Sequence, residues 1–136
     1  MPSWLVAFAT HPVIILLVGG GIGTNVRYWL GRLIVELQGP DVRFPWATFF
    51  INVSGSLILG WVAATFLDDR NPNLRKWHLL LGTGFCGGFT TFSTFSYETM
   101  LLFLQGKRSL AILYSFGSVA LGLLGVWLGV KIAGKP

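Results

Sequence analysis

Charge is what this sequence has least of. Lys, Arg, Asp and Glu make up 11% of its 136 residues, against roughly 25% in an ordinary soluble domain. Without that charge it cannot present a water-facing globular surface. An apolar fraction of 53% and a mean hydropathy of +0.67 point instead to an integral membrane protein about one domain long. The single cysteine, Cys86, excludes an intramolecular disulfide and a cysteine metal cluster, and reads as a small apolar packing residue. No basic block of the kind that tracks nucleic acid is present. The net charge of +5 comes from ten scattered Lys and Arg, read as flanking charges on membrane helices. His11 and His78 fall at segment ends, away from Ser93 and without a carboxylate to orient a base, which excludes a serine hydrolase. No His, Cys or carboxylate spacing suits a metal. Residues 1–12 lack the basic n-region of a secretory signal, so no cleavable signal peptide is expected.

What is present is four apolar segments, at 13–35, 46–67, 77–104 and 109–132, each long enough for a bilayer core that needs about 20 residues. Pro12 suits the start of the first, Pro45 introduces the second, and Asp68, Asp69 and Arg70 close it. Trp46 and Trp77 fall at segment ends, where aromatic rings favour the headgroup level. The connections are short. The expected fold is an all-α membrane protein, a single four-span domain over residues 1–136. With four spans, Arg70, Arg75, Lys76, Lys131 and Lys135 share one side. Arg43, Lys107 and Arg108 lie on the other, with Arg27 and Arg32 near the end of the first span. That near-even count sets no orientation by the positive-inside rule. It leaves open a count too crude to discriminate, or insertion both ways up.

Polar residues inside these spans carry the functional signal. Arg27 sits well inside the first span, where a charge either snorkels to the interface or faces a partner or a water-filled cavity. The Gly19/Gly23, Gly84/Gly88 and Gly125/Gly129 pairs allow close helix packing. Thr48, Asn52 and Ser56 follow one another at i+4 and so share one helix face, as do Tyr114 and Ser118. The third span is the anomaly. Residues 82–98 hold four glycines and six Thr and Ser hydroxyls, a composition that spoils a helix. Irregular backbone in a bilayer is tolerated only where protein buries it or it lines a polar path. Taken as one helix, this segment would carry a stripe of Phe85, Phe89, Phe92 and either Phe95 or Ser96. A second stripe would hold Thr90, Ser93 and Tyr97, and a third Thr91, Thr94 and Glu98.

Gly82, Gly84 and Gly87 match a dinucleotide-binding fingerprint by spacing, but the strand and parallel sheet it needs do not fit a four-span bundle. Permeation or transport remains. A cation pathway normally presents acidic rings or carbonyl filters, and Glu98 is the one acid inside a span. Hydroxyl and amide protons are donors, and phenyl edges carry the positive end of the ring quadrupole. These are partners for a small anion. Composition alone names no ion.

The run Gly-Gly-Phe-Thr-Thr-Phe-Ser-Thr-Phe-Ser at 87–96 resembles the signature of the Fluc (CrcB) fluoride channels. The Trp46-Ala47-Thr48 entry to Asn52 and the glycine-rich first span leading to Arg27 are similar as well. Ala47 departs from the glycine frequent there, and the stretch before His11 is longer than usual. The resemblance implies an antiparallel, dual-topology homodimer in the bacterial inner membrane, with the third helix broken mid-membrane and two fluoride pores. By similarity, Phe92 and Phe95 face the ion, Asn52 is the pore amide, and Ser93, Thr94, Thr48 and Tyr114 line the pore. Arg27 matches a vestibule arginine. Carbonyls of Gly87 and Thr90 would hold a structural Na⁺ at the dimer interface, where the third helix breaks over 87–90. The activity implied is passive export of cytoplasmic fluoride, protecting the cell, with no enzymatic chemistry. The main alternative is a small multidrug-type exporter of lipophilic cations coupled to protons through Glu98; a third is a non-transporting accessory subunit.

Overall fold

The computed structural model describes residues 10–39, 44–67 and 71–134, together with Pro2 and Phe8. Arg43, Arg70 and Lys135, which enter the orientation count, and Asp68 and Asp69, at the end of the second span, lie outside the described residues. All regular structure among those described is helical.

Helix α1 (Pro12–Gln38) starts as its sequence dictates. Pro12 occupies the first turn, where no N–H is needed, and the His11 imidazole accepts from the Val13 N–H at 3.4 Å. Helix α2 (Trp46–Phe66) follows Pro45. Segment α3 changes hydrogen-bond register twice, with an α-helical start at Pro72–Trp77, a π-helical stretch at His78–Cys86 and a short α-helical end at Gly87–Phe89. Thr90 and Thr91 are extended. Helix α4 (Phe92–Leu104) then begins, and α5 (Arg108–Ile132) completes the chain. Between α4 and α5, Gly106 adopts φ +75° while the Lys107 N–H reaches back to the Leu102 carbonyl at 2.9 Å. That is the six-to-one closure of a helix end, and it needs a left-handed residue.

Three helices, α1, α2 and α5, are long and apolar enough to cross a membrane. The third apolar segment is not one of them, because it is divided at Thr90–Thr91. The expected break at 87–90 therefore shifts toward the C-terminus: Gly87 is helical, at φ −63° and ψ −38°. The expected phenylalanine stripe is cut by the same break. Phe85 stacks on Phe89 at 5.5 Å, and Phe92 pairs separately with Phe95 at 5.8 Å.

Packing follows small residues. Helices α2 and α5 lie against each other along much of their length, and α1 lies against the π-helical stretch. A Cβ at Gly19 would collide with the Leu80 carbonyl, one at Gly23 with the Phe85 carbonyl, and one at Gly88 with the Gly20 carbonyl. These are backbone obstacles that no rotamer change relieves. Gly23→Ala is therefore expected to destabilise the protein by about 1–3 kcal/mol. Gly21→Ala, whose Cβ meets nothing within 4 Å, should be neutral or slightly stabilising. Thermal unfolding in detergent checks the pair, and equal midpoints for both variants would refute the tight α1 interface.

Apolar side chains elsewhere are broadly exposed, including Leu17, Trp29, Leu113 and Leu123. A surface of that kind suits lipid or another protein chain. The buried cluster is small: Phe49, Leu102, Ala111 and Tyr114, with Phe44, Val53, Phe95 and Leu110 packed around it. It joins α2, α4 and α5 beside the break.

Candidate functional site

The break is made by side chains. Asn52 of α2 pairs with the backbone of Thr91 in both directions: its Oδ1 accepts from the Thr91 N–H at 2.8 Å, and its Nδ2 donates to the Thr91 carbonyl at 3.1 Å. In an uninterrupted helix that N–H would return to the Gly87 carbonyl four residues back. Thr91 then caps α4, its Oγ1 accepting from the Thr94 N–H at 3.2 Å, as an N-cap hydroxyl does. That N–H would otherwise serve the Thr90 carbonyl. Two diverted donors thus release the carbonyls of Gly87 and Thr90. Thr90 satisfies its own hydroxyl on the Cys86 carbonyl at 2.9 Å.

A second polar centre lies one turn away. Glu98 of α4 accepts from the Thr48 hydroxyl at 2.9 Å through Oε1 and from the Tyr114 hydroxyl at 2.7 Å through Oε2. Three helices meet on this carboxylate, and both its oxygens are bonded. Tyr114 is fully buried, with Phe95 packed on it at 5.1 Å between ring centroids. One turn along α5, Ser118 Oγ is buried and makes no hydrogen bond, alone in this among the side chains of the described residues. Buried polar atoms are normally paired, so an orphan donor one turn from Tyr114 is notable.

The structure thus brings together Thr48, Tyr114 and Phe95 around Glu98, and Asn52 with the Thr91–Thr94 turn. Within that turn Ser93 Oγ lies 3.3 Å from Thr91 Oγ1, which donates to Thr94 Oγ1 at 3.0 Å. Ser56 spends its proton on the Asn52 carbonyl at 2.8 Å. Phe92 is 80% exposed. Sequence reasoning passed over Thr91, whose backbone and hydroxyl organise the break. It also left Glu98 outside the expected site, although an acid in an apolar span is signal enough for a polar centre.

Two cavities flank the Asn52–Thr91 pair. One, of about 210 Å³, lies toward Gly55, Ser56, Thr90 and Phe92. The other, of about 310 Å³, runs beside α1 past Arg27 and Arg32 to Thr48, Thr91 and Thr94. Arg27, expected in a vestibule, does line a cavity leading to the break, and among the described residues it makes no ion pair. Near the far end of α4, Glu98 also borders a pocket of about 210 Å³ that includes Gln105 and Lys107. The first two cavities meet at Thr91, and the third opens on Glu98.

Comparison with known proteins places the chain in a family. Residues 14–130 match the family described as CrcB-like protein, Camphor Resistance (CrcB). A curated relative from Oceanobacillus iheyensis, named fluoride-specific ion channel FluC, is 46% identical over 121 residues, covering 89% of this chain and 90% of that protein. Its namesake from Novosphingobium aromaticivorans is 48% identical over 115 residues, 85% of this chain and 90% of that protein. One from Thermus thermophilus is 39% identical over 121 residues, 89% and 94% of the two chains.

Proposed function

The chain belongs to the CrcB-like family, and from that premise we propose that it is a fluoride-selective passive channel, by which the anion leaves the cytoplasm down its electrochemical gradient. Family membership over most of the chain carries the reading, and the geometry supplies a mechanism. Dehydrating fluoride is offset by donors spaced along a narrow path. Asn52 keeps one amide proton beyond the one it gives Thr91, Ser118 keeps its hydroxyl proton unused, and Ser93 and Thr94 extend the line of hydroxyls. Phe92 and Phe95 add ring edges. Thr48 and Tyr114 act differently from simple donors. Both spend their protons on the oxygens of Glu98, strong bonds to a carboxylate that hold α2, α4 and α5 in register around the path. Arg27 supplies positive charge in the cavity leading inward.

The assembly proposed is an antiparallel homodimer of dual topology in the bacterial inner membrane, each subunit a single four-span domain. Phe92, 80% exposed, needs a covering surface to face an ion, and a second copy provides one. The carbonyls of Gly87 and Thr90 fit a hard cation such as Na⁺, because both have lost their helical donors and no neighbouring segment lies within 4 Å of the position of a Gly87 Cβ. Bound there, Na⁺ would contribute a fixed positive charge between subunits. The chain's part is to hold those oxygens open, which Asn52 and the Thr91 cap do.

Nothing in the relatives' names supports the proton-coupled exporter. Reconstitution in liposomes tests the function: fluoride should escape rapidly while chloride is retained, both read with ion-specific electrodes. Equal leakage of the two ions would overturn selectivity.

A further inference from the structure

The Arg27 cavity contains a second cation, which the fluoride pathway described above leaves without a role. Thr24, Arg27, Tyr28, Gly31 and Arg32 recur at spacings of three, one, three and one, the pattern of a single broad helix face. All five line the same cavity, whose floor is Thr91 and Thr94. Arg32 lies five residues beyond Arg27, about 7.5 Å farther along the axis, toward the end of α1. Unlike Arg27 it has a partner: Glu36, one turn on, at 3.4 Å from Arg32 Nη2. That separation is long beside the 2.7–2.9 Å or so of a tight charge-assisted bond, and the two side chains are 54% and 65% exposed. The pair is loose and wet, so an arriving anion can compete with Glu36 for the guanidinium.

We propose that Arg32 is the outer cation of a two-arginine funnel, opposed by Glu36, that governs how fast fluoride enters the cavity when the ion is scarce. The proposal rests on the fluoride-channel reading. Its physics is electrostatic focusing: a cleft lined by one sign of charge raises the local concentration of the opposite ion and its rate of entry. The reach of Arg32 depends on salt. The screening length is about 30 Å at 0.01 M ionic strength and about 3 Å at 1 M. The roughly 7.5 Å between the two arginines is thus transparent to the field in dilute salt and opaque in strong salt. Glu36 acts in the opposite sense from the same rim, so the two residues make predictions of opposite sign.

The experiment is fluoride efflux from liposomes holding low-millimolar fluoride, with ionic strength set on both sides by potassium isethionate. Arg32→Gln should slow initial efflux about 3- to 10-fold near 0.01 M ionic strength and by less than about 1.5-fold at 1 M. Glu36→Gln should accelerate it about 2- to 3-fold under the dilute condition, and Arg32→Lys should match the wild type. Fluoride flux through Arg32→Gln with the wild-type salt dependence, or slowing by Glu36→Gln, overturns the proposal. The salt dependence guards against a folding artefact, since a loss of folded protein lowers flux equally at about 0.01 M and about 1 M ionic strength. Failure of the fluoride reading is separately visible, as unsubstituted protein that carries no fluoride, and it removes this inference too.

Discussion

Replacing Asn52 with alanine is expected to cut fluoride flux by roughly 30- to 1,000-fold in protein that still folds. The argument runs through the backbone of Thr91. Alanine removes the acceptor for the Thr91 N–H and the donor to its carbonyl, at 2.8 and 3.1 Å in the native chain. Leaving two such groups unpaired costs about 1–3 kcal/mol each, and the cheapest remedy is for the N–H to turn back to Gly87 and extend the helix. The break closes, and the Gly87 carbonyl loses its freedom. A penalty of about 2–4 kcal/mol on the conducting arrangement corresponds to the stated fold-change. Asn52→Asp keeps the acceptor but not the donor, so its flux should fall between alanine and wild type. Liposome efflux, with size-exclusion chromatography to verify assembly, reads both. An alanine variant within about threefold of wild type would show that the break stands without its clamp.

The second large effect is expected at the phenylalanines. Phe92→Ile and Phe95→Ile should each abolish measurable fluoride flux, a loss of more than about 100-fold, without dispersing the proposed dimer. Isoleucine retains apolar bulk but has no ring quadrupole, so it cannot present a positive edge to an anion. The two sites separate packing from conduction. Phe92 is 80% exposed on its own chain, so its replacement sacrifices little intrachain packing. Phe95 sits against Tyr114 at 5.1 Å, and losing that pairing adds a destabilisation of about 0.5–1.5 kcal/mol. Flux lost equally in both variants, with only Phe95→Ile lowered in thermal stability, is the expected outcome. Undiminished flux through either variant would make that ring a packing element.

How much of this was legible beforehand differs by element. Helices α1, α2 and α5 follow from apolar run length, which is a local property. That the third segment is interrupted was also legible, from its glycines and hydroxyls. The position of the interruption was not, because Asn52 and Thr91, 39 residues apart, decide it through a tertiary pair. Of the glycines in that stretch, Gly84 and Gly88 lie against Gly19 and Gly20, the close packing that their spacing predicts. The π-helical register at His78–Cys86 left no trace in periodicity, since a change of hydrogen-bond partner needs no change in residue type. Of the expected site, Thr48 and Tyr114 do meet, yet on Glu98, a centre invisible to spacing because its partners come from two other helices.

The interlock of α1 with the π-helical stretch has a mechanical consequence. Because Gly19 and Gly23 each sit under a carbonyl of the neighbouring segment, a shift of α1 by one residue would drive Gly20 and Thr24 into those seats, and Thr24 carries a β-carbon. Sliding is therefore quantised: the next register four residues away lies about 6 Å off, and Arg27 fills one of its seats. Helix α1 works as a fixed ruler, holding the height of Arg27 above Thr91 to less than one residue's rise of about 1.5 Å. Whatever moves when an ion passes, the scale against which its entry is measured stays put.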